Sequence, residues 1–482
     1  MKNSRRLFDI SIVLPLFFAL VPGLLRAAAK PSSGTQCERL RTSDRDTGTF
    51  LMLSDIHFDP FDDPKINVPE GEPLKDWQGD FDHSKDTEIS NYGKDTRYPL
   101  LKSAIDHAAA FAQRCNLTYD YVIVSGDYTY HGGAPSINAA GGAGSNSQQS
   151  LEIIEFVTQM IRHRFPKVPV FGALGNNDSD RGDYNTPSKA FFSKVRRALI
   201  SGGHGVHSPK PFRGYYRVTM PGVSAPGNEL VILNTGLWSQ RSGSTCSQKD
   251  AGGEEVAWLG STLAAIKSKH GETATLVMHI PPGIDVASTL QKKTTVPLWS
   301  EPCQREFIDT VARYRGVVVD IYAAHIHRDD FRILSDRQHA PLCPIHIVTA
   351  ISPIYRNNPA FEVGWYNKAN GALIDYAAIR LKLARGTPPV SYPVDEETPW
   401  DIERRFAAGY HVHSYDLSDL ELVASEIRSP DSAAARMYQE RYASGAHADP
   451  GMSANWSLYS CGQTELTIPG FDNCVRPPEG QK

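Results

Sequence analysis

The sequence predicts a layered α/β fold, and three observations carry that reading. Seven short apolar or β-branched runs, each of 4–8 residues, end in polar or glycine residues as buried strands do. Helical patterns lie between several of them, the alternation expected of helices packed on sheets. The chain has 482 residues, 40% hydrophobic and 22% charged, enough to bury a core without disulfides or metals holding it. That composition excludes a collagen-like, coiled-coil or wholly disordered chain. With 50 basic against 54 acidic side chains, the net charge of −4 lacks the basic excess of a dedicated nucleic-acid binder.

Taken in order, residues 1–29 read as a removable signal peptide. Lys2, Arg5 and Arg6 precede an apolar stretch from Ile10 to Leu25, and Ala27-Ala28-Ala29 offers small residues for cleavage. Pro15 and Pro22 interrupt the stretch, which is short of the ~20 residues of a bilayer span. An uncleaved anchor is the alternative; it changes location but not chemistry. No later segment is apolar enough to span a membrane, so a secreted or periplasmic protein is expected.

The predicted strands are Phe50–Leu53, Tyr121–Val124, Val168–Leu174, Leu230–Leu233, Ala274–Met278, Val317–Ala323 and Ile345–Thr349. Helices are expected over Tyr98–Gln113, where Leu100, Leu101, Ile105, Ala108 and Phe111 recur at helical spacing, and over Ser150–Phe165. Asp59–Tyr92 and the glycine-rich His131–Gln149 read as loops, and with Arg356–Asn367 they are expected to shape a pocket. Pro388–Pro399 reads as a linker, and Ala424–Tyr442 as one helix. The organisation is therefore a signal peptide (1–29), a catalytic domain (30–385) and a C-terminal extension (386–482).

Export permits disulfides. Of seven cysteines, Cys461 and Cys474 look like a local staple in a tail containing glycine and proline. Pairing among Cys37, Cys115, Cys246, Cys303 and Cys343 stays open, and the odd number leaves at least one thiol free or intermolecular. None lies in a Cys-x-x-Cys pattern, so thiolate zinc sites have no support.

Five strand ends carry potential metal ligands. Ser54-Asp55-Ile56-His57 follows the first run, Ser125-Gly126-Asp127 the second and Gly175-Asn176-Asn177-Asp178 the third. His279 follows Ala274–Met278, and His325-Ile326-His327 closes the run from Val317. Open α/β sheets bind ligands beyond the carboxyl ends of their strands. Imidazole with carboxylate suits Zn, Fe or Mn. Any one block alone is more often a turn or a hydrogen-bonded histidine. The i, i+2 pairs Asp55/His57 and His325/His327 would each point to one side of an extended chain and could converge on two adjacent metals.

In this order, DxH, GD, GNxD, H and HxH resemble the calcineurin-like metallophosphoesterase superfamily over about Thr49 to Leu383. The resemblance implies a four-layer β-sandwich of two mixed sheets flanked by helices, here with a mostly helical C-terminal extension. The strand pattern by itself does not separate this from a doubly wound sheet. Asp55, His57 and His327 would hold one metal, Asn176, His279 and His325 a second, and Asp127 would bridge them. Zn is the first expectation, with Fe or Mn as alternatives. Two such ions would bring a bridging hydroxide to phosphorus and neutralise the phosphate oxygens.

His131, four residues after Asp127, gives GDxxxH, which resembles the acid sphingomyelinase-like branch and makes His131 the candidate proton donor. Ser352–Pro359 also resembles that branch. Many relatives have GNH where this chain has Gly175-Asn176-Asn177. Asn177 can donate a hydrogen bond but no proton, and this variant resembles endopolyphosphatases. Asp178 is expected to orient a ligand rather than to catalyse. The expected function is an exported phosphoesterase acting on a small phosphodiester or phosphoanhydride such as polyphosphate. The alternative is a non-catalytic exported metal-binding protein that keeps the fold.

Overall fold

Two sheets face each other in the computed structural model, which describes Cys37 and residues 46–62, 74–84, 86–131, 146–223, 227–247, 249–269, 271–383, 400–446 and 451–476. The signal peptide, the linker, the 385 boundary and part of both predicted loops lie outside these residues. In chain order the strands are β1 (Thr47–Leu53), β2 (Tyr121–Val124), β3 (Val170–Gly172), β4 (Ile200–Ser201), β5 (Tyr216–Thr219), β6 (Glu229–Ile232) and β7 (Ala274–Val277). They continue as β8 (Val318–Ala323), β9 (Asp330–Ser335), β10 (Pro341–Ile347), β11 (Ala360–Asn367), β12 (Leu373–Leu381) and β13 (Trp400–Ile402). The first sheet runs β13-β12-β11-β1-β2-β3-β4 and the second β5-β6-β7-β8-β10-β9.

Each sheet has a parallel centre with antiparallel edges. β1, β2 and β3 run parallel with Leu53 opposite Val124 and Val124 opposite Gly172. In the second sheet, Ile232, Val277 and Tyr322 share a register across β6, β7 and β8. The residues after these strands therefore leave each sheet at one level, which fixes where a site can form.

The inner faces join through rings: Phe50 of β1 stacks on Tyr121 at 4.8 Å and meets Tyr322 of the other sheet at 5.4 Å. Full burial of one such ring contributes about 1.5–3 kcal/mol. Helices Tyr98–Cys115, Asn146–Arg164 and Lys189–Leu199 accompany the first sheet, and Ala251–Lys267 and Glu301–Arg313 the second. In the helix beginning at Tyr98, Pro99 takes a first-turn position where its missing N–H costs nothing, and left-handed Asn116 ends it.

Beyond residue 400 the chain is mostly helical but not detached. β13 extends the first sheet, and Trp400 donates to Ser103 Oγ at 3.0 Å. The single helix expected over Ala424–Tyr442 is two helices, Leu417–Ile427 and Ala433–Tyr442. Pro430 lacks the N–H a continuous helix needs, and Ser432 caps the second helix by accepting from Ala435 N. Two further expectations are corrected. The Asp59–Tyr92 loop contains helix Leu74–Ser84, and most of Arg356–Asn367 is β11.

Cys461 and Cys474 are bonded as expected, alongside Cys37–Cys115 and Cys246–Cys303. The remaining thiol, Cys343, is buried.

Candidate metal centre

All seven predicted ligands come together where the carboxyl ends of the two sheets meet. Asp55 and His57 leave β1, Asp127 leaves β2, Asn176 follows β3, His279 follows β7, and His325 and His327 follow β8. His327 Nε2 lies 3.3 Å from Asp55 Oδ1 and 3.1 Å from His57 Nε2. His279 Nε2 lies 3.1 Å from Asp127 Oδ2 and 3.1 Å from Asn176 Oδ1. Asp127 Oδ2 is also 3.4 Å from His57 Nε2, so this carboxylate touches both groups. Two clusters with metal-ligand spacing result, Asp55/His57/His327 and Asp127/His279/His325.

The convergence is not that of an extended chain. Asp55 and His57 both have φ of 44°, Asp127 54°, His325 74° and His327 54°. Five of the seven residues thus occupy the left-handed region, at a cost of about 1–3 kcal/mol each. Such strain, held by the surrounding fold, gathers at functional sites. Two glycines make room for it. A Cβ on Gly126, itself at φ of 95°, would fall 2.7 Å from Gly175 N, and one on Gly175 would fall 2.0 Å from Asp127 Oδ1.

The donor set fits cations. His57 Nδ1 faces Thr129 O at 2.9 Å and His279 Nδ1 faces Ser125 O at 2.8 Å. A carbonyl only accepts, so both Nδ1 atoms carry the hydrogen and both Nε2 atoms turn inward. Burial holds His57 down to about 4 and His325 to about 3, which keeps their rings neutral as metal binding requires. Burial pushes Asp55 up to about 7. Burial also opposes charge on Asp127, but His279, which this carboxylate pushes up to about 9 against its own burial, reverses it and leaves that carboxyl well below its ordinary range. Asp55 Oδ1 is buried without a hydrogen-bond partner. Two enclosed carboxylates, one with an orphaned oxygen, facing imidazole nitrogens call for positive charge between them.

Neighbouring side chains fix these groups. Asp178 accepts the backbone N–H groups of Asp127 (2.8 Å), Tyr128 (2.9 Å), Thr129 (3.1 Å) and Gly175 (2.8 Å), tying the GD loop to the GN loop. Asn177 donates from N and Nδ2 to the two oxygens of Asp127, each at 2.9 Å. Asn176 Nδ2 donates to Asp183 Oδ1 at 2.7 Å, leaving its carbonyl oxygen toward His279.

His131 stands at the rim. Its ring stacks on His57 with centroids 4.1 Å apart, and Nδ1 lies 2.9 Å from Asp95 Oδ1. Asp95 Oδ2 also accepts the His131 backbone N–H at 2.9 Å. Burial lowers the ring's basicity, but the hydrogen bond and charge of Asp95 outweigh it and leave the pKa raised. Tyr355 OH comes to 3.4 Å from Nε2, which faces a cleft of about 350 Å³.

Asp95, Asp183, Tyr184 and Arg241 escape sequence reading. None directly follows an apolar run; the one signal is Asp95's place just before a Tyr-Pro helix start. Tyr184 OH lies 3.3 Å from His325 Nε2 beneath the Arg241 guanidinium, 4.4 Å from its ring. The cleft is also lined by Tyr438, Tyr442 and Tyr459 of the C-terminal region, which the expected pocket loops did not include.

The profile of the calcineurin-like phosphoesterase family matches residues 48–329. Acid sphingomyelinase-like phosphodiesterase 3b of Mus musculus is 25% identical over 411 residues, covering 81% of this chain and 82% of its own. Cyclic GMP-AMP phosphodiesterase SMPDL3A of Mus musculus is 24% identical over 455 residues, covering 89% and 92%. Among solved structures, that of PhoD gives a TM-score of 0.41 at 10% identity, covering 75% of this chain and 69% of that one.

Proposed function

Because the chain belongs to the calcineurin-like phosphoesterase family, we propose that it is an exported enzyme that holds two metal ions and cleaves a phosphodiester or phosphoanhydride. The chain is a hydrolase of phosphoric esters, so the non-catalytic alternative is set aside. One observation carries the two-metal reading: Asp127 touches His57 on one side and His279 on the other, between two separate ligand clusters.

In this reading Asp55, His57 and His327 would hold one ion, Asn176, His279 and His325 the other, and Asp127 would serve both. Zinc is the first choice for this nitrogen and oxygen set, with iron or manganese as alternatives. Bound ions supply Lewis acidity and an activated water at phosphorus. The protein's own part is orientation and proton transfer. Asn177 and Asp178 hold the Asp127 loop, and His131, steadied by Asp95, hands a proton to the leaving oxygen.

The GDxxxH spacing and the relatives' names favour a phosphodiester, sphingomyelin-like or nucleotide. The Asn177 variant keeps a polyphosphate anhydride as a second class, because its better leaving group leans less on an acid. Export draws support from the three disulfides, which suit an oxidising compartment.

The test is turnover of bis-p-nitrophenyl phosphate, sphingomyelin, cyclic dinucleotides and polyphosphate by protein loaded with Zn, Mn or Fe. Hydrolysis of one class with two ions per chain is expected. No bound metal and no turnover on any substrate would refute the proposal.

A further inference from the structure

We infer that the C-terminal extension is part of the metal centre's support: Arg441 is a positioning residue that fixes the loop carrying His327. The inference rests on the metal-centre reading above and adds a residue far outside its motifs.

Arg441 lies on helix Ala433–Tyr442 and is 2% exposed. Its Nη2 pairs with Asp329 Oδ2 at 2.9 Å, and Asp329 lies two residues after His327 and is 3% exposed. The other oxygen of Asp329 accepts from Tyr376 OH at 2.5 Å. The same carboxylate is thus held from β12 and from the extension at once. Arg441 Nη1 donates to Arg404 O at 2.7 Å, which fastens the guanidinium from behind.

The backbone just past Arg441 completes the clamp on both loops that border the site. Tyr442 O accepts from Asp329 N at 3.2 Å. Ala443 O accepts from Asn358 N at 3.2 Å, and Ser444 O from Asn358 Nδ2 at 2.9 Å. Arg328 bridges the two loops, donating to His327 O at 3.0 Å and Tyr355 O at 3.2 Å, with its guanidinium 5.4 Å from the Tyr442 ring. His327 itself sits at φ of 54° and its Nδ1 has no hydrogen-bond partner. Apart from the inward contacts of Nε2 with His57 and Asp55, nothing bonds the ring, so the position of its backbone sets where it points, and that backbone is what the extension holds.

Outer partners of this kind alter metal affinity about 10- to 100-fold when removed. The experiment uses the full chain stripped with chelator and titrated with Co²⁺, followed by visible absorption, with near-UV circular dichroism and thermal melting reporting the fold. Arg441→Met alone would leave Asp329 buried and uncompensated, so the main variant is the double change Asp329→Asn/Arg441→Met. We expect it to fold, to bind one Co²⁺ as the wild type does, and to bind the second about 10- to 100-fold more weakly. Arg441→Lys should recover part of that loss. Should the double variant fail to fold, the isosteric Asp329→Asn, which leaves Arg441 compensated by Glu403 Oε2 at 4.0 Å, breaks the same contact and carries the test. Wild-type affinity for both equivalents in either folded variant would overturn the clamp while leaving the metal centre standing. A wild-type chain that takes up no Co²⁺ would overturn both.

Discussion

His131 lies face to face with His57, ring centroids 4.1 Å apart and planes inclined by 20°, and Asp95 grips it through both side chain and backbone. The proton-donor candidate is thereby packed on a metal-ligand candidate and held by a carboxylate that no motif announces. Leaving-group strength exposes its role. His131→Ala should slow hydrolysis of esters with poor leaving groups by about 10²–10⁴-fold. It should barely change release of p-nitrophenolate and should keep the metal content. Asp95→Asn should move in the same direction by less. Kinetics on paired substrates, with elemental analysis of each variant, check this.

Asp127→Ala should behave differently. Its carboxylate lies within 3.4 Å of His57 and 3.1 Å of His279, so its loss should remove metal and activity together. Variants of Asp127 and His131 that lose metal equally would contradict the division of roles.

Asp178 makes a stability prediction. Four backbone N–H groups end on its two oxygens, all within the buried junction of the GD and GN loops. Asp178→Ala leaves them unpaired, at about 1–3 kcal/mol for each group that cannot reach water. A loss of at least about 3 kcal/mol in urea unfolding is expected. A loss below 1 kcal/mol would show that the loops re-pair elsewhere.

Outside the ligand set, Glu255 sets a pH dependence. Burial pushes its carboxyl from the ordinary 4.5 up to about 8, with the 2.6 Å hydrogen bond from Asn234 N pulling only partly back. Between these values the folded chain keeps a proton that the unfolded chain releases. Fewer protons on the unfolded state mean that stability falls as pH rises through that window. The slope from this group is at most about 1.4 kcal/mol per pH unit. Glu255→Gln should lose less stability than the wild type between pH 5 and pH 8, measured by urea unfolding at several pH values. Parallel curves would contradict the burial argument.

The site is legible in the sequence because its chemistry follows immediately on apolar strands: β2 spans Tyr121–Val124, the same bounds as its apolar run, and all seven ligand candidates meet. The geometry that brings them together was not legible. Alternating side chains on an extended strand were expected, whereas left-handed kinks at Asp55, His57, Asp127, His325 and His327 turn them inward. Local sequence permits such kinks but does not dictate them; the packed loops do.

Charged residues hid the missing strands. β11 carries Glu362, which reads as a polar break until His346 of β10 is found 2.6 Å away. Asp375 in β12 is neutralised by Arg405, 2.8 Å away and 30 residues on. These partners are remote in sequence, so the strands looked too polar to be buried. The same reason concealed Asp95 and Arg441, whose partners lie 36 and 112 residues away.

The central claim is a two-ion centre that performs phosphoester hydrolysis, and the most direct measurement is metal stoichiometry taken with activity on one preparation. Elemental analysis of the purified full-length protein should find two transition-metal ions per chain. Chelation should abolish hydrolysis of bis-p-nitrophenyl phosphate, and restoring the second equivalent should restore it. Undiminished hydrolysis by protein that holds no metal would contradict the account.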